Sequence, residues 1–148
     1  MPDELHEAVR AAAEPRLPRD ERAQRIADLV RAATRRRWVG VYEVTAAEVV
    51  NLAWSGPAPP AHPRFPAERG LTGAAISARE TVVSNDVAHD PRYFTALVST
   101  GSEMIVPVIV DDRVVGTLDV EDESMDAFDD DDRLLFERVA GEMGPLYD

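Results

Sequence analysis

The chain has 148 residues, 45% of them hydrophobic, which is enough for one domain with a buried core and too few for two ordinary domains. Its 16 basic and 28 acidic residues give a formal net charge of −12, so nucleic acid and anionic membranes are disfavoured as partners. The chain has neither lysine nor cysteine, which excludes Schiff-base chemistry, thiol catalysis, disulfides, zinc–thiolate sites and covalent thioether cofactors.

The N-terminus does not resemble an export signal. The segment Met1–Glu7 is acidic and lacks the basic and apolar regions of a signal peptide. No window of the sequence approaches the roughly 20 apolar residues that a bilayer-spanning helix requires. We therefore expect a cytoplasmic protein that does not interact with membranes.

The first predicted elements are two helices. One extends from Pro2 to about Glu14 and ends before two prolines, and the other extends from about Arg19 to Arg35. Apolar residues recur at helical spacing along the second helix, so this stripe should pack on a sheet or on a second copy of itself. These residues are Ile26, Leu29, Val30 and Ala33.

A β-hairpin is predicted next, with strands from Trp38 to Val44 and from Val49 to Trp54. Alternation along the first strand places Trp38, Gly40 and Tyr42 on one face. A glycine between two aromatic residues leaves room for another group to approach the backbone. The two rings are therefore either ordinary core residues or one wall of a ligand site.

A proline-rich segment follows from Ser55 to Pro66, and its composition predicts a stiff loop that serves as a lid. His62 lies within this loop, either as a solvated residue or as a contact for a ligand or haem. Thr72 is the predicted N-cap of a short helix that continues to about Arg79.

Beyond this helix, Thr81 to Ser84 is predicted to form a short strand. Asp90 and Pro91 have the residue types of an N-cap and first helical position, and predict a helix through about Val98. His89 precedes that helix and is expected to make local hydrogen bonds rather than to act in catalysis.

The segment Gly101–Asp122 is predicted to form the central hairpin. Its strands are Glu103–Val110 and Arg113–Glu121, joined through Asp111 and Asp112. The first strand is almost entirely apolar, which is typical of a strand covered on both faces.

The second strand of this hairpin carries polar residues on one face. Alternation there groups Val115, Thr117, Asp119 and Glu121. A two-residue turn alone would place Glu103 on the opposite face from Asp119. A bulge at Pro107, which has no N–H to donate to the ladder, would restore a common face. The sequence leaves both arrangements open.

The acidic run Asp129–Asp132 is interpreted as the start of a helix from about Asp130 to Met143. Carboxylates are favoured there because they meet free N–H groups and the positive end of the helix dipole. The run also lacks the glycine and the terminal glutamate of an EF-hand loop. We therefore expect no metal site.

The order of these elements and several local motifs resemble those of GAF domains. The motifs are Gly70-Leu-Thr-Gly-Ala-Ala-Ile, Asn85-Asp-Val, Asp90-Pro-Arg-Tyr-Phe, Glu103-Met-Ile-Val-Pro-Val, Val115-Gly-Thr-Leu and Phe128-x-x-x-Asp132. The resemblance implies an α+β, GAF/PAS-like fold with a five- or six-stranded antiparallel sheet and the N- and C-terminal helices on one face. A ligand pocket would lie on the other face, under residues 56–101. Residues 19–148 would form a single GAF domain, preceded by a helical extension over residues 1–18.

Three segments resemble, more narrowly, the pocket of GAF-type free methionine-(R)-sulfoxide reductases. They are Trp38-Val-Gly-Val-Tyr42, Ser102-Glu-Met-Ile-Val-Pro107 and Gly116-Thr-Leu-Asp-Val-Glu121. Those enzymes use cysteine thiols, and at the matching positions this chain has His62, Thr72 and Ala96. Without a thiolate, thiol-dependent reduction has no nucleophile, so we assign no catalytic residue. The positions resembling the substrate-binding carboxylates remain acidic, namely Glu103, Asp119 and Glu121.

These observations favour a non-catalytic sensor or signalling domain that binds a small molecule. Aromatic faces attract cations and carboxylates pair with ammonium groups, so an amine or a free amino acid such as methionine sulfoxide is the expected ligand. The candidate ligand-binding residues are Trp38, Tyr42, Thr72, Glu103, Asp119 and Glu121.

Other interpretations remain open from the sequence. One is a structural or dimerisation module without a ligand, and another is a degenerate homologue of the reductases. Non-covalent haem would need His62 or His89 as an iron ligand, whereas our prediction is that the protein has no cofactor. Apolar stripes on the terminal helices also predict a homodimer through those helices.

Overall fold

The computed structural model describes residues 2–94 and 99–148. Its strands are β1 (Trp38–Val44), β2 (Glu48–Ser55), β3 (Arg64–Pro66), β4 (Val82–Ser84), β5 (Ser102–Val110) and β6 (Arg113–Asp122). Its helices are α1 (Pro2–Ala13), α2 (Arg19–Thr34), α3 (Gly70–Ala78) and α4 (Asp130–Gly141), with 3₁₀ turns at Val87–His89 and Gly144–Tyr147. The strands form one antiparallel sheet in the order β3-β2-β1-β6-β5-β4. This arrangement confirms the expected α+β fold with a six-stranded antiparallel sheet.

The main hydrophobic core lies between the sheet and helices α1, α2 and α4. Apolar residues that point to one face of the strands meet the stripes of the helices, and burying both surfaces stabilises the layered packing. The core includes Val9, Ile26, Val30, Phe136 and Val139 from the helices and Val39, Val41, Met104, Leu118 and Val120 from the strands. Arg10 links α1 to the C-terminal end of α4. Its guanidinium donates two hydrogen bonds, at 2.7 and 3.0 Å, to the carboxylate of Glu142, the C-cap residue of α4.

The hairpin of β5 and β6 turns through two residues, as the sequence predicts. Asp111 and Asp112 have φ angles of 49° and 67°, the left-handed backbone of a tight two-residue hairpin turn. The ladder contains a bulge, but it lies beside Val108 and not at Pro107. Val115 has no partner there and packs on the helix side, so its predicted place on the polar face of β6 is wrong. The extra residue shifts the alternation by one position.

Two predicted helix starts differ from the structure. Helix α3 begins at Gly70, with Arg69 in the N-cap position, so the assignment of Thr72 as N-cap is wrong. The Gly73 N–H donates to the Arg69 carbonyl at 2.9 Å, which closes the first helical turn earlier than predicted. The helix predicted from Asp90 is absent over residues 91–94, where the chain turns, and residues 95–98 lie outside the described part.

The acidic run begins helix α4, as predicted. Asp129 is the N-cap, and its side chain accepts a hydrogen bond from the Asp132 N–H at 2.9 Å. The Asp132 carboxylate in turn accepts from the Asp129 N–H at 3.0 Å, which completes a capping box. Within residues 2–94 and 99–148 there is no cluster of three acidic, histidine or cysteine side chains placed to hold a metal. None of the helices in these residues has both the length and the apolar character that crossing a membrane requires.

Candidate functional site

Three carboxylates lie together on the face of the sheet opposite the long helices. Glu103 on β5 is directly opposite Glu121 on β6, and Asp119 lies two residues before Glu121 on the same strand. The bulge beyond Val108 brings all three to a common face, which resolves the arrangement that the sequence leaves open. Each side chain is almost fully removed from solvent, with exposed fractions of 5% or less.

Only part of the hydrogen-bonding capacity of these carboxylates is used. The Thr117 hydroxyl donates to Asp119 Oδ1 at 2.8 Å, and the Thr100 hydroxyl donates to Glu121 Oε1. The second oxygens of Glu103 and Glu121, both named Oε2, are buried and have no hydrogen-bond partner among the described residues. A buried carboxylate oxygen without a donor is costly when ionised, so this arrangement calls for a proton or a cationic ligand.

Burial changes the acidity of the cluster. It raises the pKa of Glu121 from 4.5 to about 7, against the opposing effect of hydrogen bonds from Thr100 and Glu103. Burial also raises the pKa of Glu103 well above its ordinary value, and the neighbouring charges of Glu121 and Asp119 add to this increase. The pKa of Asp119 is likewise raised by burial, although its hydrogen bond from Thr117 opposes the change. The three carboxyl groups therefore tend to retain protons near neutral pH.

Aromatic side chains surround the carboxylates. Trp38 is fully buried and its indole N–H donates to the Ala58 carbonyl at 3.0 Å. Its ring folds over Gly40, where a Cβ atom would lie only 2.4 Å from the indole, so the room left by this glycine is taken by Trp38 itself. The Tyr42 ring lies 6.5 Å from that of Trp38, measured between centroids. These rings form an apolar wall beside the cluster.

A small cavity separates the carboxylates from helix α3. Its volume is about 20 Å³, which is enough for roughly one water molecule. Tyr42, Thr72, Glu103 and Asp119 line it, whereas Trp38 and Glu121 lie beside it without lining it. The structure therefore brings four of the six predicted residues to one cavity and places the other two next to them.

Four further side chains line this cavity and form a cover on it. His62 is the residue that the sequence leaves open as a ligand contact, whereas Phe65, Arg69 and Phe94 were not predicted at the site. The Phe94 ring stacks on His62 at a centroid distance of 4.2 Å and an interplanar angle of 23°. The Arg69 guanidinium lies 4.6 Å from the centroid of the Phe94 ring. The Phe65 ring also packs against the Phe94 ring, with 5.5 Å between the two centroids. This cover shields the carboxylates from water.

The positions of some residues at this site could be predicted from the sequence, and those of others could not. Thr117 shares the alternation of Asp119 on β6, which is a usable signal for its place beside that carboxylate. Arg69, Phe65 and Phe94 belong to loops or short elements whose periodicity does not indicate which way a side chain points. His89 pairs with Asp86 at 2.9 Å on the surface, which confirms its predicted local role.

A sequence profile of the GAF domain family matches residues 17–146 of the chain. This match covers most of the chain and agrees with the sheet order, the helix layer and the cavity described above. The chain therefore belongs to the GAF domain family.

Two relatives share nearly a third of their aligned residues with this chain. GAF domain-containing protein A of Dictyostelium discoideum is 31% identical over 103 residues, which are 69% of this chain and 64% of that protein. Free methionine-R-sulfoxide reductase of Saccharomyces cerevisiae is 31% identical over 106 residues, which are 70% of this chain and 58% of that protein. The chain thus spans about six tenths of the length of either relative.

Solved structures show the same similarity in three dimensions. The free methionine-R-sulfoxide reductase from Neisseria meningitidis, in complex with its substrate, superposes with a TM-score of 0.88 at 26% identity, over 99% of this chain and 87% of that one. A GAF domain protein from Burkholderia vietnamiensis gives a TM-score of 0.85 at 26% identity, over 96% and 90% of the two chains. The structural similarity therefore extends over nearly the whole of this chain.

Proposed function

We propose that this GAF domain binds a small molecule with an ammonium group and does so without catalysing a reaction on it. A free amino acid of the methionine or methionine-sulfoxide type is the leading candidate. The observation that carries this proposal is the pair of buried, unpartnered carboxylate oxygens, Glu103 Oε2 and Glu121 Oε2, next to Asp119. An ammonium group has three donors and a positive charge, and it supplies what these oxygens lack.

The similarity to free methionine-R-sulfoxide reductases supports a ligand of this type. The chemistry of this chain differs because it contains no cysteine, and thiol-dependent reduction therefore has no nucleophile within it. Recognition and reaction depend on different groups, so a pocket can keep its binding residues after its nucleophile is lost. A receptor or sensor role follows from such a pocket.

The small volume of the cavity supports a second candidate, a structural or dimerisation module without a ligand. An amino acid does not fit into about 20 Å³, so binding requires the Phe94 and His62 cover to move. A groove of about 850 Å³ between α1 and α2 is also available for association. Its lining combines the apolar residues Ala8, Ala11, Ala12, Leu17, Leu29 and Ala32 with the charged residues Glu14, Arg16, Arg22, Arg25 and Asp28. In this alternative the helices form a homodimer and the closed pocket has no ligand.

Thermal unfolding and titration calorimetry with L-methionine sulfoxide, L-methionine and small primary amines separate the two candidates. A ligand that binds only the folded state raises the melting temperature, and saturating ligand should do so here. The variants Glu103→Gln and Asp119→Asn keep the size of each side chain but remove its charge, and they should abolish the stabilisation. Asp112→Asn is the matched control, because that carboxylate lies exposed at the hairpin turn.

The outcomes of this experiment are distinct. Binding that is lost in both pocket variants and retained in the Asp112 variant supports the receptor function. Absence of binding by every amine and amino acid, together with a concentration-independent dimer in light scattering, supports the structural module instead. Consumption of methionine sulfoxide with an external thiol donor would contradict the non-catalytic part of the proposal.

A further inference from the structure

The start of helix α3 faces the same cavity as the carboxylates but has the opposite electrostatic character. The helix begins with Arg69 in the N-cap position, has no side-chain cap, and has no acidic residue in its first turn. The N–H groups of Gly70, Leu71 and Thr72 therefore have no intrahelical acceptor, and the described residues provide no capping side chain for them. All four residues from Arg69 to Thr72 line the cavity.

This arrangement is held in place by the local backbone. Gly70 has a φ of 72°, a left-handed conformation that residues with a Cβ atom rarely adopt. Leu71 and Thr72 are buried, with exposed fractions of 1% and 5%, so water has little access to the end of the helix from that side. The positive end of the helix dipole thus lies at a cavity that has room for roughly one water molecule.

The Arg69 side chain adds a full positive charge at the rim of this cavity. Its guanidinium lies over the Phe94 ring, and among the described residues it forms no ion pair. An arginine placed this way retains its donors for a carboxylate and is suited to a two-point contact. The unpartnered Glu103 oxygen, on the sheet side of the same cavity, independently indicates that a ligand binds there.

We propose that the cavity has an anion-binding end, formed by the Arg69 guanidinium and the first N–H groups of α3, in addition to its cation-binding carboxylates. The two ends together select a zwitterionic α-amino acid over a simple amine. This inference rests on the proposed binding function and adds to it the requirement for a ligand carboxylate. Removing the carboxylate from the ligand should weaken binding by about tenfold or more, which is the order expected for one charge-assisted contact.

The test compares free α-amino acids with their methyl esters, which keep the ammonium group and lose the carboxylate charge. The panel contains L-methionine sulfoxide, L-methionine and the other common amino acids, and calorimetry measures the affinity of each pair. Wild-type protein should prefer the free acid, and Arg69→Gln should bring the acid and the ester close to equal affinity. Arg69→Lys should restore part of the preference, because it keeps the positive charge.

Arg64→Gln is the control, because this arginine is exposed and pairs with Glu48 away from the cavity. It should leave the preference unchanged, and thermal unfolding without ligand verifies that every variant is folded. Equal affinity for acid and ester in wild type would overturn the anion-binding end while leaving amine binding intact. Equal loss of both ligands in Arg69→Gln would also overturn it. Failure of every acid and every ester to bind would reject the binding function as well.

Discussion

Replacing Glu121 with glutamine should make this protein more stable at neutral pH than it is with its natural residue. Glu121 is fully buried, and burial raises its pKa from 4.5 to about 7. Glutamine has nearly the same shape, and its oxygen accepts the hydrogen bond from Thr100 in place of the carboxylate. The substitution thus removes the charge while leaving the packing largely unchanged.

The sign and the size of the effect follow from proton binding. The unfolded chain releases this proton near pH 4.5, whereas the folded protein retains it until about pH 7. Between these values the folded state binds more protons, so the free energy of unfolding falls as pH rises. The penalty is absent below about pH 4 and complete above about pH 8, where it reaches roughly 3 kcal/mol at about 1.4 kcal/mol per tenfold change in proton affinity. The glutamine variant does not experience this penalty.

Urea unfolding followed by tryptophan fluorescence, at several values between about pH 5 and pH 8, measures the difference between variant and wild type. The opposite trends of carboxylates with lowered pKa values, such as Asp90 and Glu142, cancel in this difference. The advantage of Glu121→Gln should grow toward high pH, and Glu123→Gln, at an exposed position on the same segment, should show a constant difference. Parallel curves for Glu121→Gln and wild type would refute the reasoning.

Three further substitutions test the packing beside the site and the two ends of helix α4. Gly40→Ala should lower the free energy of unfolding by about 1–3 kcal/mol, because its Cβ atom would lie 2.4 Å from the Trp38 ring. Gly141→Ala, where a Cβ atom meets nothing within 4 Å, should be neutral or stabilising when both variants are measured by urea unfolding. Asp129→Ala should cost about 1 kcal/mol by removing the cap of α4. Calcium should leave the melting temperature of the unmodified protein unchanged, and a saturable increase would contradict a purely capping role.

The fold could be predicted from the sequence because local signals and burial agree along most of the chain. The apolar runs of β5 and β6, the turn at Asp111 and Asp112, and the acidic start of α4 each have one clear structural solution. The face of Asp119 and Glu121 could also be predicted, because side-chain alternation is a property of the strand itself. These features required no knowledge of distant contacts.

Features that depend on tertiary packing were not predictable in the same way. The position of the bulge beside Val108 decides which face Glu103 shares, yet no residue type there specifies a bulge. The stacking of Phe94 on His62 and Arg69 joins two parts of the chain that are separated in sequence, because His62 and Arg69 lie close together and Phe94 comes after α3 and β4. Sequence periodicity does not predict contacts between separate segments of the chain. The side chains that cover the cavity could therefore be identified only from the structure.

The residues on the two faces of the sheet have opposite effects on the stability of the fold. On the helix side, buried apolar residues such as Ile26, Leu118 and Phe136 contribute to stability by leaving water. On the cavity side, Glu103 and Glu121 lose hydration, and the described part of the chain does not supply donors for all their oxygens, which opposes folding near neutral pH. Conflicts between local chemistry and stability are expected at functional sites. An ammonium ligand would remove this conflict, and the same carboxylates that destabilise the empty protein would then favour the bound one.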